Sequence, residues 1–197
     1  WKQAITNELA ILSQGFKGKI SGTNAVRFIK KQQVPRGKTV TYANMVCDYR
    51  PLKEEKFRVR LTIGGDKLPY DDETASPTTN LIETKLLLNS TISDAHKGAR
   101  FIAVDLKDFF LATCMDNPEF MRISLTFLPD DIIDRYNLKK LEDNGFVYIR
   151  INKGMYGLKQ AAILANKQLV KNLGKHGYYP VPASIAKKAL ADLGIKN

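Results

Sequence analysis

Short β-prone apolar runs alternate with helical patterns through the second half of this 197-residue chain, and this alternation most limits the folds open to it. The predicted strands span residues 101–110, 120–125 and 146–151, and the predicted helices span residues 81–92, 129–141 and 158–173. Such alternation indicates an α+β or α/β layer in which helices cover one sheet. We predict the α+β class.

The first 80 residues contain more loops and fewer helical patterns. A helix is predicted over residues 6–16, where Leu9 and Leu12 recur at helical spacing. Residues 39–42 and 45–49 are strand-like, and residues 57–63 alternate apolar with basic or polar side chains. The last pattern predicts a half-exposed strand with its arginines on one face.

The charge of the chain is unevenly distributed around a net value of +11. Residues 1–75 and 151–197 are basic, whereas acidic residues outnumber basic ones in between. Basic flanks suit a polyanion and an acidic centre suits a cation, although a solvated lysine-rich surface explains the charge equally well.

The sequence shows no feature that would direct the chain to a membrane or out of the cell. No apolar run approaches the ~18 residues of a membrane span, and the N-terminus has no secretory signal pattern. We therefore expect an intracellular protein without membrane contact. The chain also starts without Met, and we expect it to be a piece of something longer.

Residues 101–110 place a carboxylate, Asp105, at the end of an apolar run and an aromatic, Phe110, five residues later. The run is predicted to be a buried strand. A charge at the end of such a strand needs a partner, and a divalent cation is one that fits. Nucleotidyl transfer uses two such cations to clamp the attacking and leaving oxygens. The alternative is an aspartate that caps a helix after a strand.

Three segments follow one another along the chain: the arginine strand at 57–63, the carboxylate segment at 101–110, and Tyr-Gly-Leu-Lys-Gln-Ala at 156–161. In this order they resemble the fingers and palm of a retrotransposon reverse transcriptase, an RNA-directed DNA polymerase, and the last string is similar to the copia-type branch. The likeness covers residues 1–182. It implies a fingers-like part at 1–80, a partial palm with a fingers insertion at 81–182, and a divergent tail at 183–197.

The resemblance implies roles for several residues of the carboxylate segment. Asp105 matches the first catalytic aspartate, which would hold two Mg²⁺ ions, and the backbone carbonyl of Leu106 would ligate one of them. Asp108 would lie near the incoming triphosphate. Phe110 would stack beneath the incoming sugar and exclude a 2′-hydroxyl.

The resemblance also implies nucleotide contacts outside that segment. Arg60, with Arg58 as the alternative, would contact the triphosphate, because a guanidinium binds phosphate oxygens in bidentate fashion. Further nucleotide or template contacts are implied for Tyr156, Gly157, Lys159 and Gln160. Taken singly, each position has a simpler explanation: a core aromatic, a solvated arginine face, or an ordinary strand-to-helix turn.

The chain departs from the family in its carboxylates. The family carries an Asp-Asp pair in a hairpin after the Tyr-Gly-Leu-Lys-Gln helix, whereas the only acid after residue 150 here is Asp192. One carboxylate is insufficient for two magnesium ions. We therefore expect a fragment of an RNA-directed DNA polymerase that is inactive alone, whose partners are an RNA or DNA template–primer and dNTPs, with the remainder of a pol polyprotein absent. The alternatives are a nucleic-acid-binding module without catalysis and a structural domain with an incidental basic surface.

Overall fold

The computed structural model describes residues 1–16, 18–72, 74–76, 79 and 81–180. Its strands are β1 (Val26–Ile29), β2 (Val40–Tyr49), β3 (Phe57–Ile63), β4 (Cys114–Ser124) and β5 (Phe146–Lys153), and its helices are α1 (Lys2–Leu12), α2 (Leu81–Ser93), α3 (Asp130–Arg135) and α4 (Ala161–Gly174). The strands form a five-stranded sheet in the order β1-β5-β4-β2-β3. The fold is therefore mixed α/β.

The chain divides into two compact units, Trp1–Ala165 and Asn166–Asn197. The whole sheet and the first three helices lie in the first unit. The boundary predicted near residue 80 falls inside this unit, and the sheet takes strands from both sides of it. The predicted tail, 183–197, lies outside the described residues.

The long strand β2 joins two parts of the sheet by changing partners along its length. Its first residues, Val40 to Tyr42, pair with β4 in parallel, and residues 43–49 pair with β3 in antiparallel register. The remaining pairs, β1 with β5 and β4 with β5, are antiparallel. The β4–β5 register shifts between Cys114 and Glu119, around Pro118, which has no N–H to donate to the ladder.

The main core lies on one face of the sheet, beneath α1 and α3. Its fully buried members include Leu9, Val26, Leu61, Met121, Ile132, Leu138, Val147, Ile149 and Ile151. A smaller cluster lies on the other face and contains Ile29, Phe120 and Tyr148, with Val34 and Val40 packed against it. Successive strand residues point to opposite faces, so each of the strands β1, β4 and β5 contributes to both clusters.

The predicted buried strand at 101–110 is wrong. Residues 101–109 contain no strand, and Phe110–Ala112 form a single 3-10 turn. The apolar side chains of the run are not buried, since Ile102 and Val104 are 82% and 68% exposed. β-propensity produces a strand only where a neighbouring strand is available for pairing, and this run pairs with none of the described strands.

Several helix boundaries also differ from the predicted ones. α1 begins four residues before the predicted start at residue 6, and Trp1 rather than Thr6 is its N-cap. α3 ends at Arg135, because Asn137 adopts a left-handed backbone conformation with φ of 51°. The predicted helix at 81–92 is confirmed as α2, but none of its residues is buried. Within the described ranges, no helix is both long and apolar enough to cross a membrane.

Candidate functional site

The ring of Tyr156 contacts two residues from the other segments that carry the resemblance: Arg60 from residues 57–63 and Phe110 from residues 101–110. The guanidinium carbon of Arg60 is 4.9 Å from the centroid of this ring. The ring of Phe110 meets it edge-on, with centroids 5.3 Å apart and an interplanar angle of 83°. A cation over the face of a tyrosine is attracted by the ring quadrupole, and an edge-to-face aromatic pair is favourable. The three side chains therefore form one cluster on the surface of the first unit.

Backbone contacts between the end of β3 and the loop after β5 hold this cluster together. The N–H of Ile63 donates to the carbonyl oxygen of Tyr156 at 3.0 Å. Gly157 follows with φ of +95°, and a Cβ there would lie 2.1 Å from the carbonyl oxygen of Ile63. A Cβ on Gly65 would lie 2.0 Å from the carbonyl oxygen of Gly157. Only glycine allows the two segments to approach so closely, so these glycines fix Tyr156 beside Arg60.

A second glycine contact positions Phe110. The N–H of Gly154 donates to the carbonyl oxygen of Thr113 at 2.8 Å, and a Cβ on Gly154 would lie 2.9 Å from the carbonyl oxygen of Phe110. The 3-10 turn that carries Phe110 is therefore packed directly against the end of β5.

The site also contains a carboxylate that the motifs do not include. Oε1 of Glu8, on α1, accepts a hydrogen bond from the N–H of Leu61 at 2.9 Å. Burial raises the pKa of Glu8 from its usual value of 4.5, against the Leu61 hydrogen bond and the charges of Arg58 and Arg60, while Asp108 adds to the rise. The carboxylates of Glu8 and Asp108 and the two arginines of β3 therefore interact electrostatically.

The sequence contains a weak signal for Glu8. It lies four residues from each of two buried residues of α1, Ala4 and Leu12, and so falls on the apolar stripe of the helix. A charged residue in such a stripe needs a polar partner. The partner, the N–H of an edge strand more than fifty positions along the chain, cannot be inferred from periodicity.

Glu8→Gln is expected to change how stability depends on pH. A carboxyl whose pKa is higher in the folded than in the unfolded state favours folding below the unfolded pKa and loses that contribution as the pH rises through the folded value. Glutamine stays neutral and still accepts from Leu61. The variant should therefore gain stability relative to the wild type as the pH rises from 4.5 towards neutral, as measured by urea denaturation at a series of pH values. The same substitution at the exposed Glu54 is the control for the change in net charge. A flat difference for Glu8→Gln would contradict the prediction.

Arg60 retains hydrogen-bonding capacity. Its Nε is buried and has no hydrogen-bond partner among the described residues. Buried N–H groups without a partner are rare in folded proteins. Arg60 also forms no ion pair with a described acid within 4 Å, so its terminal guanidinium nitrogens, rather than the buried Nε, are available to an anion.

The structure gives Lys159 and Gln160 structural contacts. Nζ of Lys159 donates to the carbonyl oxygen of Leu68 at 3.1 Å, and Gln160 is buried. Both follow the Gly157 turn, before α4 begins at Ala161. Their implied contacts with nucleotide or template remain predictions.

The predicted metal ligands are not gathered into a metal site. Asp105 and Leu106 are exposed, and Asp105 forms no hydrogen bond or ion pair within the described part of the chain. Asp108 has a left-handed φ of 52°, and its carbonyl accepts the N–H of Leu111 in the turn that carries Phe110. No group of three or more His, Cys, Asp or Glu among the described residues is arranged to hold a metal ion. Among the described residues, Asp105 and Leu106 therefore lack the further carboxylates that two magnesium ions need, and their roles as ligands stay predictions.

Comparisons with protein-family models, with curated proteins and with solved structures found no match to this chain.

Proposed function

We propose that this chain is the fingers and partial palm of a copia-type RNA-directed DNA polymerase, and that alone it binds template–primer and nucleotide without polymerising. The observation that carries the proposal is the convergence of Arg60, Phe110 and Tyr156. These residues come from three segments that are distant in sequence, and the residues of each segment carry part of the resemblance.

The chemistry of the cluster supports nucleotide binding. Arg60 offers a planar guanidinium fork of the kind that pairs with phosphate oxygens. Phe110 and Tyr156 offer ring surfaces next to that cation, and Tyr156 is 38% exposed. A nucleotide combines a polyphosphate with a flat base and a sugar, so the cluster matches both parts of such a ligand.

We propose binding alone, because the described residues bring together too few carboxylates for catalysis. In the complete family site, magnesium ions supply the charge stabilisation for nucleotidyl transfer. The described residues gather no carboxylates for these ions, and we assign no catalytic step to them. Asp105 stays a proposed ligand that needs further carboxylates from outside the described residues.

Primer extension on poly(rA)–oligo(dT) with Mg²⁺ and dTTP tests this function. We expect no synthesis by the chain alone, together with a salt-dependent affinity for the labelled primer–template measured by fluorescence anisotropy. Magnesium-dependent synthesis that Asp105→Ala leaves intact would contradict both the inactivity and the assignment of Asp105.

The second candidate is a nucleic-acid-binding module that has no catalytic role. The exposed Asp105, which has no partner among the described residues, favours it. In this case primer–template would still bind in a salt-dependent manner, but the Arg60 site would show no affinity for dTTP, which separates the two candidates.

A further inference from the structure

We infer that the outer face of the sheet, opposite α1, binds single-stranded RNA through the arginine face, which consists of Arg27, Arg122 and Arg150. These three exposed residues lie on the neighbouring strands β1, β4 and β5. All three point away from the main core, because their sequence neighbours occupy it, namely Val26, Phe28, Met121, Ile123, Ile149 and Ile151.

The strand register places like charges directly opposite each other on this face. Arg27 and Arg150 are Cα partners across the antiparallel β1–β5 pair. Arg150 is in turn opposite Phe120, which puts Arg122 in the diagonal position. Side chains directly opposite in antiparallel strands have Cβ atoms about 4.5–5.5 Å apart, and like charges there are destabilising. Such an arrangement is relieved when an anion binds between the guanidinium groups.

No described acid neutralises the arginine face. Arg27, Arg122 and Arg150 form no ion pair with a described residue, and Asp143, near the edge of the face, is paired with Lys31 at 2.9 Å. Arg122 instead stacks over the ring of Phe146, with its guanidinium carbon 4.6 Å from the centroid, which leaves its N–H groups free to donate.

The ligand is a chain of phosphates rather than a single anion. The arginines are spread over three strands spaced about 4.8 Å apart, so together they can contact more than one phosphate. A phosphodiester backbone offers anionic oxygens at successive positions, and arginine is suited to each of them. Of the aromatic side chains that β4 and β5 place on this face, Phe120 and Tyr148 are buried and Phe146 lies under the Arg122 guanidinium, so phosphate contacts provide most of the affinity.

Two depressions beside the arginines favour a single strand of RNA. One has a volume of about 390 Å³ and is bordered by Lys31, Arg122 and Tyr148. The other has a volume of about 520 Å³ and is lined by Arg27 and the amide side chains Gln14, Asn24 and Asn152. Either is large enough for a base that has left the stack, which only an unpaired strand presents. The amides can donate to and accept from ribose 2′-hydroxyls, which DNA lacks.

Fluorescence anisotropy with a labelled oligo(U) of about 20 nucleotides, titrated at several salt concentrations, tests this inference. Arg27→Gln/Arg150→Gln should weaken binding about tenfold at 0.1 M salt and reduce the slope of log K against log salt by about 1.4, because each phosphate that the protein neutralises on a single strand contributes about 0.7 to that slope. Lys139→Gln/Lys140→Gln removes the same charge from two exposed residues outside the arginine face, and should change both quantities much less. Equal losses for the two double variants would overturn the inference, and oligo(dT) binding as tightly as oligo(U) would overturn the choice of RNA.

Arg27→Glu separates loss of binding from loss of folding. It replaces a like-charge pair by an ion pair with Arg150, so it should keep or raise the melting temperature while it weakens RNA binding. Arg27→Glu that folds and binds RNA as the wild type does would also overturn the inference. The inference does not rest on the proposed function, since none of these variants touches Arg60, Phe110 or Tyr156, and nucleotide affinity at that cluster should be unchanged.

Discussion

Gly157→Ala is expected to lower the free energy of unfolding by about 2–5 kcal/mol, a large share of the roughly 5–15 kcal/mol that stabilises a typical domain. Two costs contribute. The φ of +95° is strained for any residue with a Cβ, at about 1–2 kcal/mol. The added Cβ would also lie 2.1 Å from the oxygen and 2.9 Å from the nitrogen of Ile63. These are backbone atoms and cannot rotate away, so the strand or the loop must shift at a further cost of about 1–3 kcal/mol.

Gly37 provides the matched control for this prediction. It has φ of +82°, but no atom lies within 4 Å of the position its Cβ would take. Gly37→Ala should therefore cost only the backbone strain, about 1–2 kcal/mol. Urea denaturation of both variants measures the difference. If Gly157→Ala is no more destabilising than Gly37→Ala, the loop does not pack against β3 and the cluster around Tyr156 is not held as described.

The strand at Phe57–Ile63 shows what local pattern can predict. Its alternation of apolar and polar residues predicted the observed limits of β3, and Val59, Leu61 and Ile63 are buried as the period of two requires. The information lies in neighbouring residues, because one face of this strand meets the core. Pattern is sufficient where burial alternates strictly along the chain.

The segment at 101–110 shows where local pattern fails. Its apolar and β-branched residues carry the same propensity as a strand, but a strand also needs a pairing partner with free backbone groups. The described neighbours of β4 are β5 and β2, and which strands become neighbours depends on contacts far apart in sequence. The exposure of Ile102 and Val104 could not be derived from the segment itself.

The contacts that build the site join segments far apart in sequence. The resemblance implied a nucleotide or template contact for Gly157, which stays a prediction, and the structure places its backbone against that of Ile63. No local signal connected the two segments. Glu8 was missed for the same reason, since its partner is the N–H of Leu61. Residue identity indicated which groups need partners, and only the fold determined which partners they have.

The contrast between Arg60 and Asp105 has a consequence for how nucleotide would bind. Arg60 is half-buried and is held over Tyr156, whereas Asp105 lies exposed on a segment without regular structure. A preorganised group loses little freedom on binding. Phosphate recognition by this chain should therefore depend on Arg60 far more than on Asp105.

Arg60→Gln is accordingly expected to weaken the binding of a fluorescent dTTP analogue to the chain loaded with poly(rA)–oligo(dT) by about 10–100-fold. This corresponds to the roughly 1.5–3 kcal/mol typical of a charge-assisted hydrogen bond. Arg60→Lys should fall between the glutamine variant and the wild type, because lysine keeps the charge but loses the planar fork. Arg36→Gln, which removes the same charge from an exposed loop arginine, should have little effect.

Tyr156 allows a further distinction within the same titration. Tyr156→Phe keeps the ring beneath the Arg60 guanidinium and should retain most of the affinity, whereas Tyr156→Ala removes the support and should weaken binding in the direction of Arg60→Gln. The phenylalanine variant lacks only the hydroxyl. If the affinities follow this order, Tyr156 acts through its ring, which holds the Arg60 guanidinium in place. Wild-type affinity in Arg60→Gln would show that nucleotide does not bind at this cluster, and the proposed function would then lose the observation that carries it.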